Sequence, residues 1–145
     1  LYKRYMVYFD EDFGLEYMSL ENLLRESDIV SLHIPLTPET KHLINSDRLQ
    51  IMKDTAFLIN TSRGAVVDEA ALVEYLKNGK LKGAALDVYE YEPEINPELC
   101  QMPNVILTPH IASSVQEVRD EMAIMAAKNI VEALSGRQPP NLISK

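Results

Sequence analysis

Five short apolar segments, separated by longer amphipathic ones, constrain the fold of this chain more than any other feature of its sequence. Each segment is too short for a helix and is bounded by polar or turn residues, which is typical of β-strands. The predicted strands are Tyr5 to Phe9, Ile29 to His33, Ala56 to Asn60, Ala84 to Val88 and Val105 to Leu107. Strands that alternate with helices predict an α/β fold in which the connecting helices cover a parallel sheet.

Capping residues mark where the helices begin. The predicted helix starts are Ser19, Thr37, Ser46, Asp68 and Ser114. The helix after Asp68 is expected to end at Gly79. The last helix is expected to begin with a capping box between Ser114 and Glu117 and to run to Leu134. Its apolar face is wide enough to predict burial between two layers or between two subunits.

The composition excludes several classes of protein. With 145 residues the chain is predicted to form one domain, and its net charge of −8 argues against a nucleic-acid partner. The longest stretch without charged residues, Leu99 to Gln116, contains prolines and polar side chains, so no membrane partner is expected. The single Cys100 fits a reducing cytoplasm. No metal site is predicted.

Three polar residues lie at or just after the ends of predicted strands and are candidates for a site. Arg63 follows the strand that ends at Asn60, Asp87 ends the next strand, and His110 follows the last. Because the carboxyl ends of parallel strands meet at one edge of a sheet, these residues are expected to converge. Each alone could be an ordinary surface group, and the acidic run after Asp87 could be a solvated loop.

Arginine, carboxylate and histidine together suit the reduction of a 2-oxo acid. Arg63 would fix the substrate carboxylate, because its guanidinium offers paired donors to a planar anion. His110 would give or take the proton at the carbonyl oxygen, and Glu92 would hold the imidazole and favour its charged form. The hydride would come from a cofactor.

The predicted first strand ends in an acid that favours a particular cofactor. Asp10 stands where a dinucleotide fold places the acceptor for the adenosine ribose hydroxyls, and Glu11 and Asp12 follow it. Three adjacent acids would repel the extra phosphate of NADP, so NAD is expected. His33 is a weaker candidate that would contact the cofactor through its loop backbone. His42 is interpreted as an ordinary surface residue.

Four segments closely resemble the D-isomer-specific 2-hydroxyacid dehydrogenases: SLHIPLTPETKHLIN at 31–45, LINTSRGAVVDEAAL at 58–72, GAALDVYEYEP at 83–93 and NVILTPHIASS at 104–114. The resemblance implies that Arg63, Glu92 and His110 are the catalytic set. It also implies that Asp10 binds the adenosine ribose and that Asp87 faces the nicotinamide amide. The backbones implied to line the cofactor are those around Ile34, Pro35, Thr61, Ser62 and Ala112. Glyoxylate and hydroxypyruvate reductases look nearest within the family.

The resemblance implies a Rossmann-like, doubly wound parallel sheet that is incomplete. The family's GxGxxG phosphate turn and N-terminal substrate-binding half have no counterpart in the sequence. In the usual strand order 3-2-1-4-5-6, the absent first strand would leave a gap between Tyr5 to Phe9 and Ala56 to Asn60. The chain is therefore expected to be part of a longer protein or to pack against a copy of itself.

The same resemblance implies a domain division and an oligomeric state. Residues 1–135 would form a partial NAD-binding domain, and residues 136–145 a tail that returns to the substrate domain. The family usually forms dimers through its cofactor domain, so a homodimer is expected. Two alternatives to an enzyme of small 2-oxo acids stay open: an NAD-sensing interaction protein like the corepressors that share the fold, and a truncated, catalytically silent relic.

Overall fold

A computed structural model of the protein describes residues 16–143. The chain divides into two compact units, Leu1–Thr108 and Pro109–Lys145. The predicted strand from Tyr5 to Phe9 and the candidate Asp10 lie outside the described residues. The described part of the first unit holds a sheet with three α-helices, and that of the second holds one long helix.

The first unit alternates helices and strands in chain order. Its elements are α1 (Leu20–Glu26), β1 (Ile29–Leu32), α2 (Ser46–Ile51), β2 (Phe57–Asn60), a 3₁₀ turn (Gly64–Val66), α3 (Glu69–Lys77), β3 (Gly83–Leu86), a 3₁₀ turn (Leu99–Gln101) and β4 (Val105–Leu107). All four strands are parallel and lie in the order β1-β2-β3-β4. The predicted α/β class with a parallel, Rossmann-like sheet is confirmed.

The pairing of β1 corrects the expected gap in the sheet. Ile29 to Leu32 pair directly with Phe57 to Asn60, so β2 has a hydrogen-bonded strand on each side. The expectation of a gap beside the segment 56–60 is therefore wrong. With the first strand taken as absent, the order 3-2-1-4-5-6 puts Ile29 to His33 in the outer third place, whereas this segment lies beside β2 and bonds that strand's backbone groups. Within residues 16–143, the sheet's edges are β1 and β4.

One face of the sheet carries the core. Val30 pairs in register with Leu58, and Leu58 with Ala84, and all three are buried. They pack in one cluster with buried residues of all three helices, including Leu24, Leu49 and Leu72. Side chains one position along a strand point to the opposite face, where Ile29, Phe57 and Ile106 are exposed. The helices therefore cover this face of the sheet, and their apolar residues pack against it.

Of the four helix starts predicted in the first unit, two are confirmed and two differ from the structure. The Ser19 side chain accepts from the Asn22 N–H, and the Asp68 side chain accepts from the Ala71 N–H, as predicted. The helix predicted from Ser46 is capped one residue earlier, by Asn45. The helix expected at Thr37 is a single turn.

Side-chain bonds hold the start of the turn at Thr37. The Thr37 N–H donates to the Thr40 hydroxyl oxygen at 2.7 Å, and the Thr40 hydroxyl donates to the Pro35 carbonyl at 2.7 Å. Threonine hydroxyls therefore bond backbone groups at the start of this turn, as capping side chains do at the start of a helix. The turn then ends at His42, whose φ of 50° leaves the helical region.

The second unit contains α4, Gln116–Leu134. The predicted capping box is wrong: Val115 occupies the N-cap, and the Ser114 hydroxyl oxygen accepts instead from Arg119 Nη2 at 2.7 Å. The helix ends at Leu134 as predicted, two residues before Gly136 with its φ of 71°. Within this chain α4 buries no residue. None of the helices among residues 16–143 is long and apolar enough to cross a bilayer.

Candidate active site

A buried amide side chain shapes the loop that follows β2. Asn60 is the last residue of that strand and is 1% exposed. Its Oδ1 accepts from the Ser62 N–H at 3.0 Å and from the Ser62 hydroxyl at 2.9 Å, while its Nδ2 donates to the Arg63 carbonyl at 3.0 Å. Three bonds from one immobile side chain therefore fix the backbone on which Arg63 stands.

Arg63 itself is exposed at the carboxyl end of the sheet. Its Nη1 donates to the Ser62 carbonyl at 2.6 Å, within its own loop. The loop borders an open groove of about 540 Å³ between the segments that follow β1 and β2. The groove is lined by His33, Ile34, Pro35, Leu36, Thr61, Ser62 and Arg63. Five residues that the resemblance implies for the site, Ile34, Pro35, Thr61, Ser62 and Arg63, thus share one groove.

Asp87 follows β3 and is buried against the end of β4. Its N–H donates to the Asn60 carbonyl at 2.9 Å, and its Oδ1 accepts from the Thr108 hydroxyl at 2.5 Å. The Tyr89 hydroxyl donates to the Thr108 carbonyl at 2.9 Å. Burial, with a smaller contribution from the Asp87 charge, raises the pKa of the Tyr89 phenol, so the hydroxyl keeps its proton for that bond. These contacts join the ends of β2, β3 and β4.

Glu92 lies on the loop after β3, and its Oε1 accepts from the Tyr89 N–H at 2.9 Å. This loop touches the one that carries Arg63. A Cβ added to Gly64 would lie 1.9 Å from the carbonyl carbon and oxygen of Tyr89 and 2.5 Å from the Glu90 nitrogen. Only a glycine permits so close an approach of two backbones. The structure therefore brings together the loops of two residues in the predicted catalytic set, Arg63 and Glu92.

His110 and Ala112 belong to the second unit. Both are exposed, and His110 has a φ of 53°, in the left-handed region that histidine adopts more readily than most residues. In the chain, His110 comes three residues after the end of β4 at Leu107.

Two features of the site escape the sequence reasoning. Asn60 is absent from the predicted site, although an Asn before Thr and Ser at a strand end signals a side chain that bonds the following backbone. The interpretation of His42 as ordinary surface is wrong. Its side chain is only 36% exposed, and its Nε2 lies 2.7 Å from Oε1 of the buried Glu90, which is 48 residues away in the chain. No local pattern reveals a pair so distant in sequence.

Among residues 16–143, the His, Cys, Asp and Glu side chains form no group of three or more that could hold a metal ion.

Replacing Asn60 by Ala is expected to lower the free energy of unfolding by about 1–3 kcal/mol, because it strips buried partners from the Ser62 amide and the Arg63 carbonyl. Urea titration followed by circular dichroism measures this. The matched control is Asn104→Ala, which removes an exposed amide that donates to the Lys82 carbonyl at 3.1 Å. The control is expected to change stability by less than about 0.5 kcal/mol. Equal losses in the two variants would contradict a special role for Asn60.

Comparison with known proteins assigns the chain to a family. The family model described as "D-isomer specific 2-hydroxyacid dehydrogenase, NAD binding domain" matches residues 1–112. A glyoxylate reductase of Thermococcus litoralis is 52% identical over 136 residues, which are 94% of this chain and 41% of that protein.

Solved structures agree with this assignment. The TT0316 protein of Thermus thermophilus superposes with a TM-score of 0.82 at 51% identity, covering 88% of this chain and 41% of that one. D-lactate dehydrogenase of Lactobacillus jensenii, solved with NAD⁺, has a TM-score of 0.81 at 30% identity, covering 89% and 43%. The chain thus spans about two fifths of the length of the proteins it matches. It belongs to the NAD-binding domain family of the D-isomer-specific 2-hydroxyacid dehydrogenases.

Proposed function

We propose that the chain is the cofactor-binding part of an NAD-dependent enzyme that reduces a small 2-oxo acid, glyoxylate or hydroxypyruvate, to the 2-hydroxy acid. The observation that carries the proposal is the exposed Arg63, held by buried Asn60 at the mouth of a groove where parallel strands end. Ligands of open α/β sheets bind at such edges. The similar proteins include a glyoxylate reductase and a D-lactate dehydrogenase, which does not favour the corepressor-like or silent alternatives.

The residues of the groove fit part of a dinucleotide. Thr61 and Ser62 offer hydroxyls and backbone groups to a ribose, whereas Ile34 and Pro35 offer an apolar wall to a ring. Such a mixture of apolar surface and a few fixed polar groups is usual in cofactor sites. The sequence contains no GxGxxG turn for the pyrophosphate, so these residues account for only a portion of the binding site.

Each member of the catalytic set has a role that its chemistry supports. The reduced cofactor, when bound, supplies the hydride that adds to the carbonyl carbon. Arg63 pairs with the substrate carboxylate and orients the carbonyl. Protonated His110 gives its proton to the carbonyl oxygen, and Glu92 stabilises the imidazolium before that transfer. Asp87 and the backbone at Ala112 contribute on the nicotinamide side.

The cofactor is NAD rather than NADP in this proposal. The support is the run Asp10, Glu11 and Asp12, which lies outside the described residues and is read from the sequence alone. Asp10 accepts hydrogen bonds from the adenosine ribose, and the three charges disfavour a 2′-phosphate. The cofactor domain comprises residues 1–135, and residues 136–145 lead toward a substrate domain. The exposed free thiol of Cys100 fits a reducing cytoplasm.

In the complete enzyme of which this chain is proposed to be a part, replacing Arg63 by Ala is expected to lower kcat/KM for glyoxylate by about 100-fold or more, because the substrate carboxylate loses a charge-assisted pair of hydrogen bonds. Arg63→Lys keeps the charge but not the paired donors, so it is expected to recover only part of the loss. The assay follows the loss of NADH absorbance. Arg137→Ala is the control, since Arg137 pairs with Glu132 at the end of α4. Normal turnover by Arg63→Ala would contradict the proposal.

We also propose that the protein is a homodimer that covers α4. No residue of this helix is buried, and its exposed residues include Met122, Met125, Ile130 and Val131. An apolar surface of that extent is typical of an interface between subunits.

Light scattering coupled to size-exclusion chromatography is expected to give twice the chain mass of 16.4 kDa. Ile130→Glu places a charge on a residue that is 59% exposed in the single chain, and it is expected to shift the population to the monomer. Leu142→Glu, at an equally exposed position beyond α4, should leave the dimer intact. A monomeric wild-type protein would contradict this part of the proposal.

A further inference from the structure

Glu90 is a buried carboxylate that the catalytic proposal does not use. Its side chain is 8% exposed, and each of its two oxygens accepts a bond from a different segment of the chain. Oε1 lies 2.7 Å from Nε2 of His42, and Oε2 accepts from the Glu69 N–H at 3.2 Å. A carboxylate is costly to bury unless its lone pairs are satisfied, so the surrounding groups are arranged to hold it.

Glu69 returns the bond. The Glu90 N–H donates to Glu69 Oε2 at 3.0 Å, and Glu69 is itself only 7% exposed. The side chain of each residue therefore accepts a hydrogen bond from the backbone N–H of the other. The pair ties the start of α3 to the loop after β3. We call the set of Glu69, Glu90 and His42 the acid clasp.

His42 ties a third segment to the acid clasp. Its backbone N–H donates to the Ala65 carbonyl at 2.8 Å, while its ring reaches Glu90. Ala65 belongs to the 3₁₀ turn that begins at Gly64, directly after Arg63. One residue therefore holds both the turn beside Arg63 and the loop that carries Glu90.

The acid clasp surrounds the contact between the two loops of the candidate site. At that contact Gly64 meets the backbone of Tyr89 and Glu90. Arg63 is the neighbour of Gly64 on one side, and Glu92 lies two residues beyond Glu90 on the other, with its carboxylate bonded to the Tyr89 N–H. A shift of either loop would therefore alter the separation of Arg63 and Glu92.

We propose that Glu90, supported by Glu69 and His42, is a positioning residue that sets the placement of Arg63 relative to Glu92. This inference rests on the function proposed above. A buried apolar cluster would stabilise the fold as well as these charges do, but bonds directed at particular backbone groups fix a geometry. A displacement of about 1 Å at a reacting group is enough to cost on the order of 100-fold in rate.

The test compares Glu90→Ala with the near-isosteric Glu90→Gln. The glutamine oxygen can accept from the Glu69 N–H, and its amide can donate to a neutral His42 ring whose proton is on Nδ1. Glu90→Ala is expected to lower kcat/KM for glyoxylate by about 10- to 100-fold, and Glu90→Gln is expected to restore most of that activity. Glu94→Ala, on the same loop, is the control and should retain normal kinetics.

A double variant tests whether His42 acts through Glu90. If it does, Glu90→Ala combined with His42→Ala loses no more activity than Glu90→Ala alone. Losses that multiply in the double variant would overturn the connection between the two residues.

Hydrogen exchange separates this inference from the proposed function, because it needs no turnover. Glu90→Ala should speed amide exchange at Ser62 and Tyr89, two amides that the Glu90 side chain does not itself bond, and Glu90→Gln should leave their exchange near the wild-type rate. Unchanged exchange at both amides would overturn the inference, even in an active enzyme. Faster exchange in a protein without any reductase activity would support the loop coupling and contradict the proposed function instead. If Glu90→Ala does not fold, Glu69→Ala, which removes the acceptor of the Glu90 N–H, gives the same readout, with faster exchange expected and unchanged exchange contradicting the inference.

Discussion

The site depends on the hydrogen bonds of one buried side chain, Asn60. Its backbone carbonyl accepts from the Asp87 N–H, continuing the ladder between β2 and β3, while its amide holds the turn at Ser62 and Arg63. The same residue thus ends a strand and shapes the following loop. Because the sheet sets the position of Asn60, the rigidity of the core is transmitted to the backbone that carries Arg63. Without the hydrogen bonds of Asn60, the loop would not keep Arg63 in place to bind a carboxylate.

Around Asn60, polar contacts between strand ends replace apolar packing. Asp87 and Thr108 join β3 to β4, and Gly64 lets the loop after β2 touch the loop after β3. The apolar core lies on one face of the sheet, below these contacts, and supplies stability without taking part in them. Because the apolar core holds the strands in place, the exposed polar residues at the strand ends can carry different chemistry without loss of the fold.

Sequence reasoning succeeded where the determining interactions are local. The four strands of residues 16–143 agree with prediction to within two residues, and the caps at Ser19 and Asp68 act as expected, since apolar runs and capping side chains act over a few residues. It failed where distant or competing contacts decide. The pairing of β1 with β2 and the bond between His42 and Glu90 join groups that are far apart in the chain, so no local pattern reveals them. At Ser114 a competing contact decides, because its hydroxyl bonds Arg119 and does not cap α4.

The proposed function requires that residues of this chain form part of an NAD site, although its sequence contains no glycine-rich turn. Calorimetric titration of NADH into the 145-residue protein tests it most directly, with NADPH as the comparison ligand. We expect saturable binding of NADH with a Kd on the order of micromolar, and weaker binding of NADPH. A folded protein that takes up neither cofactor would contradict the claim.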